Sequence, residues 1–229
     1  MTQDAPTAAN RRSYQSARRE RQARQTRERI LAAAATEFAR VGYAATPIRA
    51  IAERAGVSVP TIELAFGTKA QLLQAAISFS IRGDASPQTM LERSWASEAM
   101  NTSSAGEFLA MVARVLVEGE ERSSGLVIAA FEAANQDESL EALGERLRAQ
   151  RAETAAWLVD GLTARARLRG EVTRQQAIDT VWLLMDPHGY QALTRNRGWS
   201  PERFEEWFID SVHRLLVADE PMPPSRKAP

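Results

Sequence analysis

The 229-residue chain contains no Cys, which excludes disulfides, thiolate metal sites and a cysteine redox sensor, and it is long enough for one or two domains. A formal net charge of zero hides a division. Residues 1–72 carry 12 Arg and Lys against 6 Asp and Glu, a net +6, whereas residues 73–229 carry 17 against 23, a net −6. A basic head on an acidic body suggests one polyanion-binding module and one module with another task.

Ala, Leu, Glu, Arg and Gln dominate over Val, Ile and Tyr, so an all-α fold is expected. No apolar run approaches the roughly 18–20 residues that span a bilayer, and no apolar stretch follows the Arg-rich start. The expectation is a cytoplasmic protein with no membrane partner.

In chain order, residues 1–10 are polar and are expected to be disordered. "RRSYQSARRERQARQTRER", residues 11–29, then sets eight Arg against two Glu. Two readings stand: a solvated extension of the first helix, or a basic arm, residues 1–24, that tracks phosphates or enters a minor groove. In "RQTRERILAAAATEFARVGY", Ile30, Leu31, Ala34, Ala35, Phe38 and Val41 recur at helical spacing, and Gly42 closes the run. Thr46 is the expected N-cap of the next helix, with Pro47 at its first position. Ile48, Ile51 and Ala52 form its apolar face and Gly56 stops it. Ser58 caps a second short helix with Ile62 and Phe66 turned inward, and Thr68 caps a third through Leu72, Leu73, Ala76 and Ile77.

Further helices are predicted over 87–100, 105–120, 123–136, 138–169, 173–195 and 200–218, with no strand. The Pro-rich end, residues 220–229, is expected to be disordered.

Ala52, Gly56 and Ile62 carry the first functional signal. A helix-turn-helix needs a small residue where two short helices touch, a Gly able to turn left-handed between them, and apolar glue. Ala52 supplies the contact, Gly56 the turn, and Ile51, Val57 and Ile62 the glue.

Around that turn the stretch "TRERILAAAATEFARVGYAATPIRAIAERAGVSVPTIELAFGTKAQLL", residues 26–73, resembles the N-terminal domain of the TetR family of transcription regulators. "RGWSPERFEEWF", residues 197–208, is similar to the last helix of many actinobacterial-type members. The resemblance implies an all-α homodimer with a three-helix DNA-binding domain, residues 25–70. A larger helical domain, residues 71–219, would dimerise and hold a small-molecule effector. The implied partners are a double-stranded, palindromic DNA operator, a second copy and an effector of unknown identity; no cofactor and no metal are implied. Carried over by position, the DNA-binding candidates are Arg24, Arg27, Thr46, Ser58, Val59, Pro60, Thr61, Glu63 and Lys69. Thr61 and the first turn of its helix would meet base edges, and Lys69 a phosphate.

The chain departs from the family pattern where it matters most. Many members read S-K-G-T-L-Y-x-x-F across Ser58 to Phe66; here Val59 replaces the Lys, Glu63 the Tyr, and Ala65 a His or Tyr. Val59, Pro60 and the Thr61 methyl could meet thymine methyls, and Glu63 could accept from a cytosine amine. The Arg-rich segment and the helix N-terminus could then supply the lost phosphate contacts. The alternative is a dimeric binding module for a small molecule or protein whose head has lost its DNA code.

In the body, Trp95, Phe108, Met111, Phe131, Trp157 and Trp182 are the candidate lining of an effector pocket. The last two long helical segments carry apolar residues on more than one face, so Leu183, Tyr190, Leu193, Phe204, Phe208, Val212 and Leu215 are the candidate dimer seam. Catalytic readings fare poorly. His188 and His213 have no zinc-type spacing, "EGEER" (118–122) is an acidic cluster at an expected helix end, and no phosphate loop or nucleophile elbow appears.

Overall fold

The computed structural model describes residues 8–84, 86, 88–135 and 137–218, with side chains from residue 16 onward apart from Ala17. The segments expected to be disordered, 1–10 and 220–229, lie largely or wholly outside the described residues. The described chain is helical, its only extended pairing being an isolated antiparallel bridge between Leu168 and Val217.

Helix α1 (Ala8–Ala45) carries the Arg-rich segment back to Ala8, so residues 8–24 form a helical extension. Gly42 leaves helical geometry at φ 81°, ψ 168°, and Val41 just before it is exposed rather than turned into the core. Ile30, Leu31, Ala34 and Phe38 are buried as their spacing predicts. Helices α2 (Ile48–Ala55) and α3 (Val59–Phe66) follow, and α4 (Lys69–Arg82) leaves the head. The turn between α2 and α3 is built by Gly56 at φ 65°, ψ 41°, with the Val57 amide donating to the Ala52 carbonyl at 3.0 Å. That left-handed geometry costs an L side chain what it does not cost Gly. Ser58 caps α3 through the Thr61 amide, and Thr68 caps α4 in a reciprocal box with Gln71.

The body contains a 3₁₀ turn (Met90–Glu92), α5 (Ser94–Met100), α6 (Ala105–Ala134), α7 (Glu138–Thr163), α8 (Arg174–Leu184), α9 (Pro187–Gln191), a π-helical turn (Ala192–Asn196) and α10 (Pro201–Leu216). One correction concerns α6. Two helices were expected with a break near 121–122, but a single 30-residue helix runs through. Gly119, Ser123 and Gly125 suggest a break, yet the Ser123 hydroxyl donates to the Gly119 carbonyl at 2.7 Å inside the helix, a satisfied buried serine rather than an interruption.

Two apolar cores hold these elements. The first runs from α1–α4 into α6 and the first half of α7, so the head and the near layer of the body share one interior. Arg122 on α6 adds a polar tie by donating to the Ser80 and Ile81 carbonyls at the end of α4, at 3.1 and 3.3 Å. The second core joins α5 and α6 to α7, α8, α9 and α10. There Gly161 is required by contact, because a Cβ would overlap the Phe108 ring. Arg165 covers that ring at 4.7 Å and donates to the Ala99, Met100 and Thr102 carbonyls that end α5.

Candidate nucleic-acid interface and ligand cavity

On α3 the 3–4 residue period divides the side chains cleanly. Ile62 and Phe66 are buried, while Pro60, Glu63, Leu64 and Ala65 are exposed. Leu64 is 91% exposed, a large apolar residue held in water on the outer face of the second helix of the turn. Its place between Glu63 and Ala65, out of register with Ile62 and Phe66, is the signal in the sequence that marks it. Val59 is half-buried and packs onto the head core, so only part of it faces outward. Thr61 is also half-buried, its hydroxyl 2.8 Å from the Ser58 hydroxyl that caps the helix.

The flanking cations are tethered. Arg27 on α1 donates to the Ala65 carbonyl at 3.1 Å and lies 4.3 Å from the Phe66 ring, tying α1 to the end of α3. Lys69 donates to the Ala44 carbonyl at 3.4 Å and stands 4.5 Å over the Tyr43 ring, and burial lowers its pKa from the ordinary lysine value. An ammonium has three donors, so two stay available for a phosphate. Arg24 is exposed on α1. Thr46 requires correction: it is 1% exposed, and its hydroxyl donates to the Gly42 carbonyl at 2.7 Å and reaches the Glu37 carbonyl at 3.2 Å. It closes the α1–α2 connection from inside, turned away from the surface; Pro47, not Thr46, occupies the N-cap position of α2. Beside it, buried Glu37 accepts from Arg40 at 2.7 Å and Arg54 at 2.6 Å, and these bonds hold its pKa below the ordinary glutamate value.

In the body a cavity of about 380 Å³ opens between α4, α5, α6 and α7, within the range of small-molecule sites. Ile77 and Ile81 of α4, Leu116 of α6 and Leu147 of α7 give it apolar walls, and Trp95 of α5 closes one side. Of the six predicted lining residues only Trp95 reaches it. Phe108 and Phe131 are consumed by solid packing, and Met111 and Trp157 pack on the second core. Trp157 backs Trp95 at 5.6 Å, and Trp182 is stacked under Arg151 at 4.5 Å. An aromatic at helical spacing more often fills a core than lines a void.

The cavity also holds one member of the acidic cluster 118–122 that was expected at a helix end. Glu120 sits mid-helix, on the stripe Val117, Glu120, Ser123, Ser124, Val127 that faces inward along α6. Its Oε2 is cut off from solvent and has no hydrogen-bond partner. Burial pushes its carboxyl up to about 8, with Arg151 opposing the rise and Asp186 adding to it.

The predicted dimer seam divides. Tyr190, Phe204, Phe208 and Val212 are at most 5% exposed within one chain, because α9 and α10 pack directly on α6, so these four belong to the monomer core. Leu193 is half-buried, and Leu183 of α8 and Leu215 of α10 stand 66% and 51% exposed. His188 is exposed and its Nδ1 lies 3.2 Å from Asp186; His213 is exposed on α10. Among the described residues no group of three acidic or imidazole side chains could hold a metal, and no helix is long and apolar enough to cross a membrane.

Residues 30–76 match the family model of bacterial regulatory proteins, tetR family. No curated protein matches the chain in sequence. Several solved structures share its fold. NalD of Pseudomonas aeruginosa, the secondary repressor of the MexAB-OprM multidrug efflux pump, superposes with a TM-score of 0.63 at 22% identity, over 86% of this chain and 100% of its own. A protein from Saccharomonospora viridis in complex with choline gives 0.63 at 20% identity, over 83% and 97%. The transcriptional regulator FadR of Bacillus subtilis, in complex with stearoyl-CoA, gives 0.61 at 16% identity, over 80% and 96%.

Proposed function

We propose that this chain, which belongs to the tetR family of bacterial regulatory proteins through residues 30–76, is a homodimeric transcriptional regulator that grips a near-palindromic operator and yields it to a small molecule. The observation that carries this reading is the placement of α4. Its first residue, Lys69, sits beside the helix-turn-helix, and its second half, from Gln74 to Arg82, walls the cavity. A 14-residue helix is about 21 Å of stiff rod, so a ligand that displaces one end moves the other. Choline and stearoyl-CoA in related folds illustrate how different such ligands can be.

In the dimer, two α3 helices would enter successive major grooves about 34–36 Å apart. Each would present Pro60, Glu63, Leu64 and Ala65 where polar or basic readers are usual. Leu64 and Pro60 suit the C5-methyl of thymine, and Glu63 suits a cytosine N4 amine. The positive charge comes from Arg24, Arg27, Lys69 and the helical extension, and is suited to phosphates. The exposed Leu183 and Leu215 are the residues we assign to the seam between the two copies, with Leu193 at its edge. A chromosomal operator implies a cytoplasmic site of action.

The test is selection of bound fragments from genomic DNA followed by fluorescence anisotropy. An enriched palindrome bound more weakly as salt rises is the expected result. A head that enriches nothing would favour the rival reading, a dimeric binding module without a DNA code, to which the exposed acidic and apolar face of α3 lends its one support.

A further inference from the structure

A carboxylate oxygen shut off from water is costly unless it is paired, and Oε2 of the half-buried Glu120 has no hydrogen-bond partner. The charges facing it can be named element by element. From α7 comes Arg151, from the α8–α9 link Asp186, from α9 the titratable Tyr190 hydroxyl, and from the other cavity walls Arg82 of α4 and Arg146 and Glu153 of α7. Arg151 is committed through its Nη2, while its Nε is buried without a partner. Its Nη2 lies 3.1 Å from Asp186 Oδ2 and donates to the Trp182 carbonyl at 2.9 Å, while its guanidinium lies over the Trp182 ring. One guanidinium therefore faces two carboxyl groups, and once both are ionised the trio is one positive charge short. Arg146 is engaged elsewhere, donating to Gln74 at 3.1 Å. The indole Nε1 of Trp95, on the same cavity wall, is also buried without a partner.

We propose that the cavity selects a protonated amine carried on an apolar body, with the ammonium seated on Glu120 and the body lying against Ile77, Ile81, Leu116 and Leu147. An ammonium seated on the carboxylate supplies the missing positive charge, and the Trp95 ring adds a surface that attracts cations. A carboxylate ligand would meet Asp186 as a like charge and would gain nothing from ionising Glu120. Amine binding ionises Glu120, so a proton leaves the site as the ligand enters. The inference rests on the effector reading for its consequence, release of DNA, and not for the binding chemistry.

Three probes of one skeleton test it: 4-phenylbutylamine, 4-phenylbutanol and 4-phenylbutyrate, titrated by calorimetry at pH 7 into the full chain and its Glu120→Gln variant. The amine is expected to bind at least about ten-fold more tightly than the alcohol, with the carboxylate weakest. Its heat should depend on the buffer, reporting proton release. Glu120→Gln should level the amine with the alcohol and abolish the proton release, whereas Glu120→Asp, which keeps the charge, should retain a preference for the amine. A thermal melt of each variant verifies the fold. The proposal is overturned if the alcohol or carboxylate binds as tightly as the amine, if Glu120→Gln leaves amine binding unchanged, or if no probe binds. Operator release, followed in parallel by anisotropy, separates the two ideas. Glu120-dependent amine binding without release sinks the effector reading alone; release by the alcohol as readily as by the amine sinks the ligand class alone.

Discussion

On α3, Leu64 stands 91% exposed beside Glu63 and Ala65; on α6, Glu120 keeps one oxygen away from both water and hydrogen bonds. Head and body thus depart from ordinary polarity in opposite directions, the one holding an apolar group out and the other a carboxylate in. Scattered exposed apolar residues are unremarkable in themselves, but this one occupies the outer face of a helix-turn-helix. The half-buried Glu120 lines a void large enough for a ligand. The contrast points to a partner for each module: a methyl-bearing DNA groove for the head and a protonated amine on an apolar skeleton for the body.

Substitutions can break or sharpen that contrast. The largest effect belongs to a residue with no partner role. Phe108→Ala empties the space over Gly161 between Trp157 and Arg165, and should cost about 3–5 kcal/mol in urea unfolding. Next come two glutamates with opposite signs. Glu120 has its pKa raised from 4.5 to about 8, so the folded chain holds a proton that the unfolded chain has lost between those values. Its burden is absent below about pH 4.5 and grows as pH rises to about 8. Glu120→Gln should therefore match the wild type in acid and exceed it in stability at pH 8. Glu37 is the reverse: Arg40 and Arg54 lower its pKa from 4.5, so its contribution is complete above that value and disappears as pH falls and it protonates. Glu37→Gln should be weaker than the wild type at pH 7, with the gap closing in acid. Denaturant titrations across pH measure both.

Smaller again is Gly56→Ala, which forces an L side chain to φ 65° and should cost roughly 1–2 kcal/mol while weakening operator binding. Last is Leu64→Ser. With 91% of the residue in water, stability should change by no more than about 0.5 kcal/mol, yet operator affinity should fall. A Leu64→Ser protein that binds the operator as before would remove the head's half of the contrast.

The head was legible in the sequence because its devices are local. Gly56, the Ser58 and Thr68 caps, and the Ile30–Phe38 stripe each act within a few residues of chain. Thr46 misled because its hydroxyl turns inward, reaching the Glu37 carbonyl nine residues back, which local capping preference does not encode. The body was less legible because its roles are set by which helix faces which. Tyr190, Phe204, Phe208 and Val212 make an apolar surplus that looks like a seam until α9 and α10 fold onto α6. Glu120 looks like one member of a solvated cluster until α6 proves continuous and turns that position inward. The stripe from Val117 to Val127 does place it on the buried face, and that spacing was the available clue.

The central claim, that α3 reads DNA through apolar contacts in place of basic ones, is tested most directly by removing methyl groups from the operator. Binding is measured by anisotropy on the selected operator, and on the same duplex with each half-site thymine replaced by deoxyuracil, which lacks only the C5-methyl. The account predicts a loss of affinity at one or more positions for the wild type, and no further loss for Leu64→Ser at those positions. Equal affinity for the thymine and deoxyuracil operators would contradict it.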